Sequence, residues 1–178
     1  VVGLRFTRSD DPGRRKITPE ITISGDCLRG KVEPFFIPMA KNEISRPVRI
    51  LLAEDEVLVA RDTENMLLRF GYEVLGIAST GEEAIAMADE LLPDLLLIDI
   101  RLKGSLDGID VAARARELHG IPVIFITAHA DERTLQRAKK VGPLGYLLKP
   151  FEEKELRLTV ETAIFKWEMD RELRRREE

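Results

Sequence analysis

Leu95-Leu96-Leu97-Ile98-Asp99 decides the fold: four consecutive apolar residues end on a carboxylate. An unbroken apolar run of this length suits a strand buried on both faces, the habit of parallel sheets covered by helices. A carboxylate closing such a strand is costly unless something there uses it. Three other apolar runs also end on polar groups, at Glu54-Asp55, Thr127 and Lys149. Four strand ends carrying acids, a hydroxyl and an amine imply one site assembled from distant pieces of chain.

Outward from that strand, apolar runs alternate with helical patterns. Val48 to Ala53 reads as a strand, followed by a helix over about 56–70. That helix should turn Val57, Ala60, Leu67 and Leu68 inward and stop at Gly71. Tyr72 to Ala78 is the second strand. Thr80-Gly81-Glu82-Glu83 matches a capping box opening a helix to about Leu91. Leu95 to Ile100 is the third strand, and Asp107-Gly108 starts a helix through Val111, Ala112, Ala115 and Leu118. Pro122 to Thr127, Asp131 to Val141 and Gly145 to Leu148 read as strand, helix and strand. A last helix runs over about 152–178. Five strands alternating with five helices predict an α/β domain with a five-stranded parallel sheet. Such sheets bind ligands outside the carboxyl ends of their strands, where Asp55, Asp99, Thr127 and Lys149 fall.

The first 47 residues differ. They hold five of the nine prolines and carry nine basic against six acidic residues, which leaves the remainder at net −7. Without a sustained period, 1–47 is expected to be a mostly irregular N-terminal extension, in which short apolar pieces such as Ile21 to Ile23 and Phe35 to Ile37 could add a strand or dock on a surface. Met39-Ala40-Lys41 reads as a natural start after the initial Val1. Two readings of residues 1–38 stay open, a non-native leader and a basic docking arm. A net charge of −4 gives no argument for nucleic-acid or membrane attraction. The single cysteine, Cys27, excludes an internal disulfide framework, and no apolar run reaches the length of a membrane span. A cytoplasmic protein is the default expectation.

Three carboxylates in one crevice repel one another and favour a bound cation. Mg2+ suits them, because it takes oxygen ligands and binds through one or two carboxylates plus a phosphate. Lys149 offers a compact charge for an anion, and Thr127 a hydroxyl for a phosphoryl oxygen. These are parts for phosphoryl transfer, with Asp99 as the nucleophile that would form an aspartyl-phosphate.

Residues 48 to about 165 resemble the receiver domain of two-component response regulators, the CheY-like superfamily. The motifs are Glu54-Asp55, Asp99, Thr127-Ala128 and Tyr146-Leu147-Leu148-Lys149-Pro150-Phe151. Their spacings are 44 residues from Asp55 to Asp99, 28 to Thr127 and 22 to Lys149. The resemblance implies a flavodoxin-like fold with strand order 2-1-3-4-5 and a cis Lys149-Pro150 bond. It implies that Asp99 accepts a phosphoryl group from a sensor histidine kinase or phosphotransfer protein. Mg2+ would be held by Asp55, Asp99 and the backbone carbonyl of Arg101, with Glu54 acting through water. Lys149 and Thr127 would bind the phosphoryl oxygens, and Tyr146 would be the switch aromatic. Beyond self-phosphorylation and self-dephosphorylation no enzyme activity is implied.

Three departures from the family pattern stand out: Glu54 where Asp is commoner, a loop 101–108 that lacks the usual proline and is one residue longer, and Arg101 two residues past the acceptor. That loop resembles receivers of multidomain sensor proteins more than those joined to DNA-binding domains, so a downstream effector domain or protein is expected. Arg101 replaces the second aspartate that a haloacid-dehalogenase-type enzyme would need. A pseudo-receiver that binds partners without phosphorylation is the alternative. His119 and His129 have no ligand-spaced partner and are expected to face solvent. Residues 166–178, nearly all charged, read either as a solvated helix end or as a linker to an effector. As a signalling stem they could form a short coiled coil and so a homodimer.

Overall fold

Apolar residues alternate through Val2–Arg8 and Ile17–Ile23, and these segments form an antiparallel pair, β1 and β2. Their register sets Val2 opposite Ile23, Leu4 opposite Ile21 and Phe6 opposite Pro19. Within a segment expected to be mostly irregular, these two stretches thus carry a period-two pattern, and β2 contains the Ile21–Ile23 piece expected to add a strand. The structure, a computed structural model, describes residues 2–8, 17–23, 46–128 and 131–177. Cys27, residues 35–37 and His129 lie outside the described residues. The chain divides into two compact units, Val1–Lys41 and Asn42–Glu178. The second unit thus begins before the boundary expected at 47. Within it, Arg46 makes a two-pronged bond to Asp94 at 2.7 and 2.9 Å.

In chain order the second unit comprises β3 (Arg49–Ala53), α1 (Val57–Arg69), β4 (Glu73–Ala78), α2 (Gly81–Leu91) and β5 (Leu95–Asp99). It continues through α3 (Gly108–His119), β6 (Val123–Thr127), α4 (Glu132–Val141), β7 (Gly145–Leu148) and α5 (Glu153–Glu177). The strands form one parallel sheet in the order β4-β3-β5-β6-β7, which is 2-1-3-4-5 when counted within this unit. Every residue of β5 and β6 is buried. Alternate side chains feed two cores. Leu51, Leu96, Ile98 and Phe125 pack with residues of α2, α3 and α4. Ile50, Leu52, Leu97 and Ile126 pack with α1 and α5. This two-sided burial explains the near-solid apolar strands.

Helix α1 buries Ala60, Thr63 and Leu67, whereas Val57 and Leu68 are 71% and 51% exposed. Their expected inward placement is corrected. The buried stripe runs i, i+3, i+7, and Leu68 lies about 100° of helix rotation off it. Thr80 caps α2 by accepting from Glu83 N at 3.2 Å, but Glu83 bonds back to the Ser79 amide and hydroxyl. The reciprocal partner is shifted by one residue. At α3 the full capping box forms between Asp107 and Asp110, with Arg137 clamping both carboxylates at 2.7 and 3.1 Å. Gly108 follows because a Cβ there would collide with the Asp99 carbonyl oxygen. The start of α3 is thereby pressed against the end of β5. Helix α5 is continuous for 25 residues, with Leu156, Val160 and Ala163 buried and Phe165, Met169 and Leu173 exposed. Among the described residues no helix is long and apolar enough to cross a membrane.

Replacing fully buried Leu97 with alanine should cost about 2–5 kcal/mol, read as a lower urea midpoint at unchanged slope. The Asp107 cap yields a pH signature. Burial disfavours its charge, but the Arg137 and Asp110 hydrogen bonds prevail and hold its carboxyl below the usual range. A depressed folded pKa stabilises above the unfolded value and is lost as pH falls through the folded one. Asp107→Ala should therefore cost about 1 kcal/mol at neutral pH, with the difference shrinking in urea titrations below about pH 3.9.

Candidate functional site

The parallel register brings the ends of β3, β5, β6 and β7 to one edge of the sheet. Ala53 pairs with Ile98, Asp99 with Ile126, and Thr127 with Leu148, so the next residue out on each strand meets the others. Glu54, just past β3, is 2% exposed and anchors its amide on the Ala78 carbonyl at 2.9 Å. Lys149, just past β7, anchors its amide on the Thr127 carbonyl at 2.8 Å. These backbone bonds fix where the two side chains start.

Lys149 is the centre of the cluster. Its Nζ donates to Asp99 Oδ2 at 2.5 Å and lies 2.6 Å from Glu54 Oε2, with Glu56 Oε1 farther out at 3.5 Å. The other Asp99 oxygen accepts from the Arg101 amide at 2.8 Å, and Glu54 Oε1 accepts from the Glu56 amide at 3.1 Å. Burial works against the Lys149 charge, but the adjoining Asp99 and Glu54 carboxylates outweigh it and raise its pKa. Burial is the larger influence on Glu54 and pushes its carboxyl up despite the neighbouring ammonium. Its Oε2 is close to Lys149 but not in hydrogen-bonding geometry, which leaves that buried oxygen without a hydrogen bond. The Thr127 hydroxyl is likewise buried and unpartnered.

One carboxylate oxygen each from Glu54, Asp55 and Asp99 lies within 4.8 Å of the others. Three carboxylates offering hard oxygen donors at this spacing fit a small divalent cation. Asp55 also meets Lys103 Nζ at 3.2 Å. The sequence reading missed Lys103 and Glu56. A lysine in a loop of unusual length was the available signal, but only the folded loop shows where its ammonium reaches. Tyr146 stands on β7 opposite Phe125, with ring centroids 5.9 Å apart and 37% of its surface exposed. Partial burial raises its phenol pKa. The Lys149-Pro150 bond is cis. His119 is exposed, as expected, and bonds Asp89 at the surface at 2.7 Å.

The response regulator receiver domain family matches residues 50–161. This chain belongs to the response regulator receiver family. The receiver is 35% identical over 127 residues to the transcriptional regulatory protein PdtaR of Mycobacterium tuberculosis, covering 71% of this chain and 62% of that one. It is 44% identical over 112 residues to the positive alginate biosynthesis regulatory protein of Pseudomonas aeruginosa, covering 61% and 44%. The receiver thus spans less than two thirds of the length of these relatives. Among solved structures it resembles the signal receiver domain of a modulated diguanylate cyclase from Desulfovibrio desulfuricans. That match has a TM-score of 0.66 and 43% identity over 68% of this chain and 97% of that chain. A CheY-like receiver from Methanospirillum hungatei gives 0.66 and 26%, over 70% and 98%.

Removing the lysine charge leaves two buried carboxylates facing each other. Lys149→Met should lower the unfolding free energy by about 3 kcal/mol. Adding Glu54→Gln to it should recover part of that loss, a non-additivity measurable by a double-mutant cycle in urea.

Proposed function

We propose that this receiver is the phospho-acceptor of a two-component phosphorelay, with Asp99 as the acceptor. The observation that carries the reading is the Asp99–Lys149–Glu54 cluster at the sheet edge, accompanied by the unpartnered Thr127 hydroxyl. An Asp99 carboxylate oxygen attacks phosphorus as the phosphorus–nitrogen bond of a donor phosphohistidine breaks. The new bond is an acyl phosphate, and the leaving imidazole nitrogen takes a proton from solvent. Arg101 N–H and Lys149 orient the carboxylate before transfer. Lys149 then balances a phosphoryl oxygen, and the Thr127 hydroxyl donates to another. Asp55, Asp99 and the Arg101 carbonyl would hold Mg2+, with Glu54 acting through water. Bound there, the ion neutralises charge on the transferring phosphoryl group.

The donor is a sensor histidine kinase or a phosphotransfer protein. Beside the site, an open groove of about 620 Å³ is lined by Glu56, Leu58, Val59, Lys149 and Phe151. Leu58 is 85% exposed in this groove, which gives a helical donor an apolar contact on the surface that Lys149 also lines. Output is a changed surface around Thr127 and Tyr146. Movement of the threonine toward the phosphoryl group opens space for the half-exposed ring to turn inward. An effector, in the same polypeptide or separate, reads that surface. Residues 166–178 serve as a stem toward it, with a homodimer through α5 as the form that buries Phe165 and Met169. The reading places the protein in the cytoplasm with its kinase.

Intact-mass spectrometry after incubation with acetyl phosphate and Mg2+ tests this function. A single phosphoryl adduct is expected, absent with EDTA and in Asp99→Ala. No adduct on folded wild type at times short enough to precede hydrolysis would instead favour a phosphorylation-independent binding module.

A further inference from the structure

The segment between Asp99 and α3 carries a cation for which the phosphoryl chemistry has no use. Lys103 Nζ stands 3.2 Å from Asp55 Oδ2; its own side chain is 73% exposed and that of Asp55 only 16%. The ammonium therefore reaches from the surface to an acid in the pocket. Its reach is built into the loop. Lys103 forms a parallel bridge with Thr80, the N-cap of α2, and its carbonyl accepts from the Gly81 amide at 3.4 Å. Gly104 follows at φ +113°, where a Cβ would also run into the Glu82 carboxylate. Ser105 then donates its amide to Glu82 Oε1 at 3.0 Å, and its hydroxyl bonds the same oxygen. Both sides of Lys103 are fastened to the first turn of α2. Arg101, in the same loop and also cationic, takes part in no ion pair among the described residues.

We propose that Lys103 is a resident counter-cation of Asp55 that competes with Mg2+ for the acidic pocket, so that the ion must displace its ammonium to bind. The inference rests on the Mg2+ reading given above and concerns how that site is regulated. One carboxylate oxygen cannot hold an ammonium and a divalent ion together without strong repulsion between the two cations. With the pocket empty of metal, Lys103 relieves the repulsion among Glu54, Asp55 and Asp99 on the side that Lys149 does not reach. Entry of the ion reverses the balance and sends the ammonium back to solvent. Because the lysine is mostly exposed, the pair is weak and the exchange readily reversible. Lys103 thus sets the Mg2+ concentration at which the acceptor becomes competent. It acts through Asp55 and is a positioning and regulatory residue, not a catalytic one.

Calorimetric titration of Mg2+ into the full chain at fixed ionic strength tests this without any phosphoryl donor. Lys103→Met should bind Mg2+ about three- to fivefold more tightly than wild type, the size expected for loss of one exposed competing pair. Lys103→Arg keeps the cation and should stay within about twofold of wild type. Arg101→Met removes the same charge from the same loop without removing an ion pair, and should tighten binding less than Lys103→Met does. A larger Mg2+-induced rise in Tm for Lys103→Met should accompany the tighter binding and also reports that the variant is folded. Equal affinity of wild type and Lys103→Met overturns the inference alone. Equal tightening by Lys103→Met and Arg101→Met also overturns it, since general charge would then be the cause. Absence of saturable binding to both wild type and Lys103→Met overturns the Mg2+ reading and this inference together.

Discussion

The ammonium of Lys149 is the constraint on which the site depends. Glu54 and Asp99 are 2% and 6% exposed, and two buried carboxylates close together are strongly unfavourable without a counter-charge. Lys149 touches both. It can do so because β7 pairs with β6 in a register that sets Leu148 against Thr127. Sheet order, register and charge balance are therefore one problem. A shift of one residue in β7 would turn the lysine to the other face and leave the acids without their cation.

The balance is deliberately incomplete. Glu54 Oε2 and the Thr127 hydroxyl are buried without hydrogen bonds, and such groups are rare in settled interiors. Both face costs that a ligand at the sheet edge would remove. Gly108 contributes from behind: its missing side chain lets α3 begin against the Asp99 carbonyl. The loop that joins them is in turn clasped to α2 through Glu82 and Ser105. Asp99 is thus supported by a strand beneath it and a helix start behind it.

Much of this was legible in the sequence. Asp99, Lys149, Thr127 and the Glu54-Asp55 pair were visible because each closes an apolar run, and a polar residue in that position has few structural excuses. Strand order came from the family resemblance, since periodicity alone does not rank parallel strands. The errors have separate causes. Val57 and Leu68 were placed inward by hydrophobicity, while the buried stripe follows the small residue Ala60 and the polar residue Thr63. Ile21–Ile23 was readable as a strand piece, whereas its partner was not, because the alternation of Leu4 and Phe6 is too short to stand out as a period. Lys103 was unreadable for a different reason: its contact with Asp55 depends on a loop closed by Gly104 and Ser105, and no period or spacing encodes that closure.

The central claim is that the carboxylate held between Lys149 and the Arg101 amide is the one that takes up phosphate. Borohydride reduction of the acetyl-phosphate-treated protein, followed by peptide mass mapping, tests it most directly, because an aspartyl-phosphate is converted to homoserine where it stood. The account predicts homoserine at position 99 and nowhere else. Conversion at Asp55, or at any other aspartate with position 99 unchanged, would contradict it.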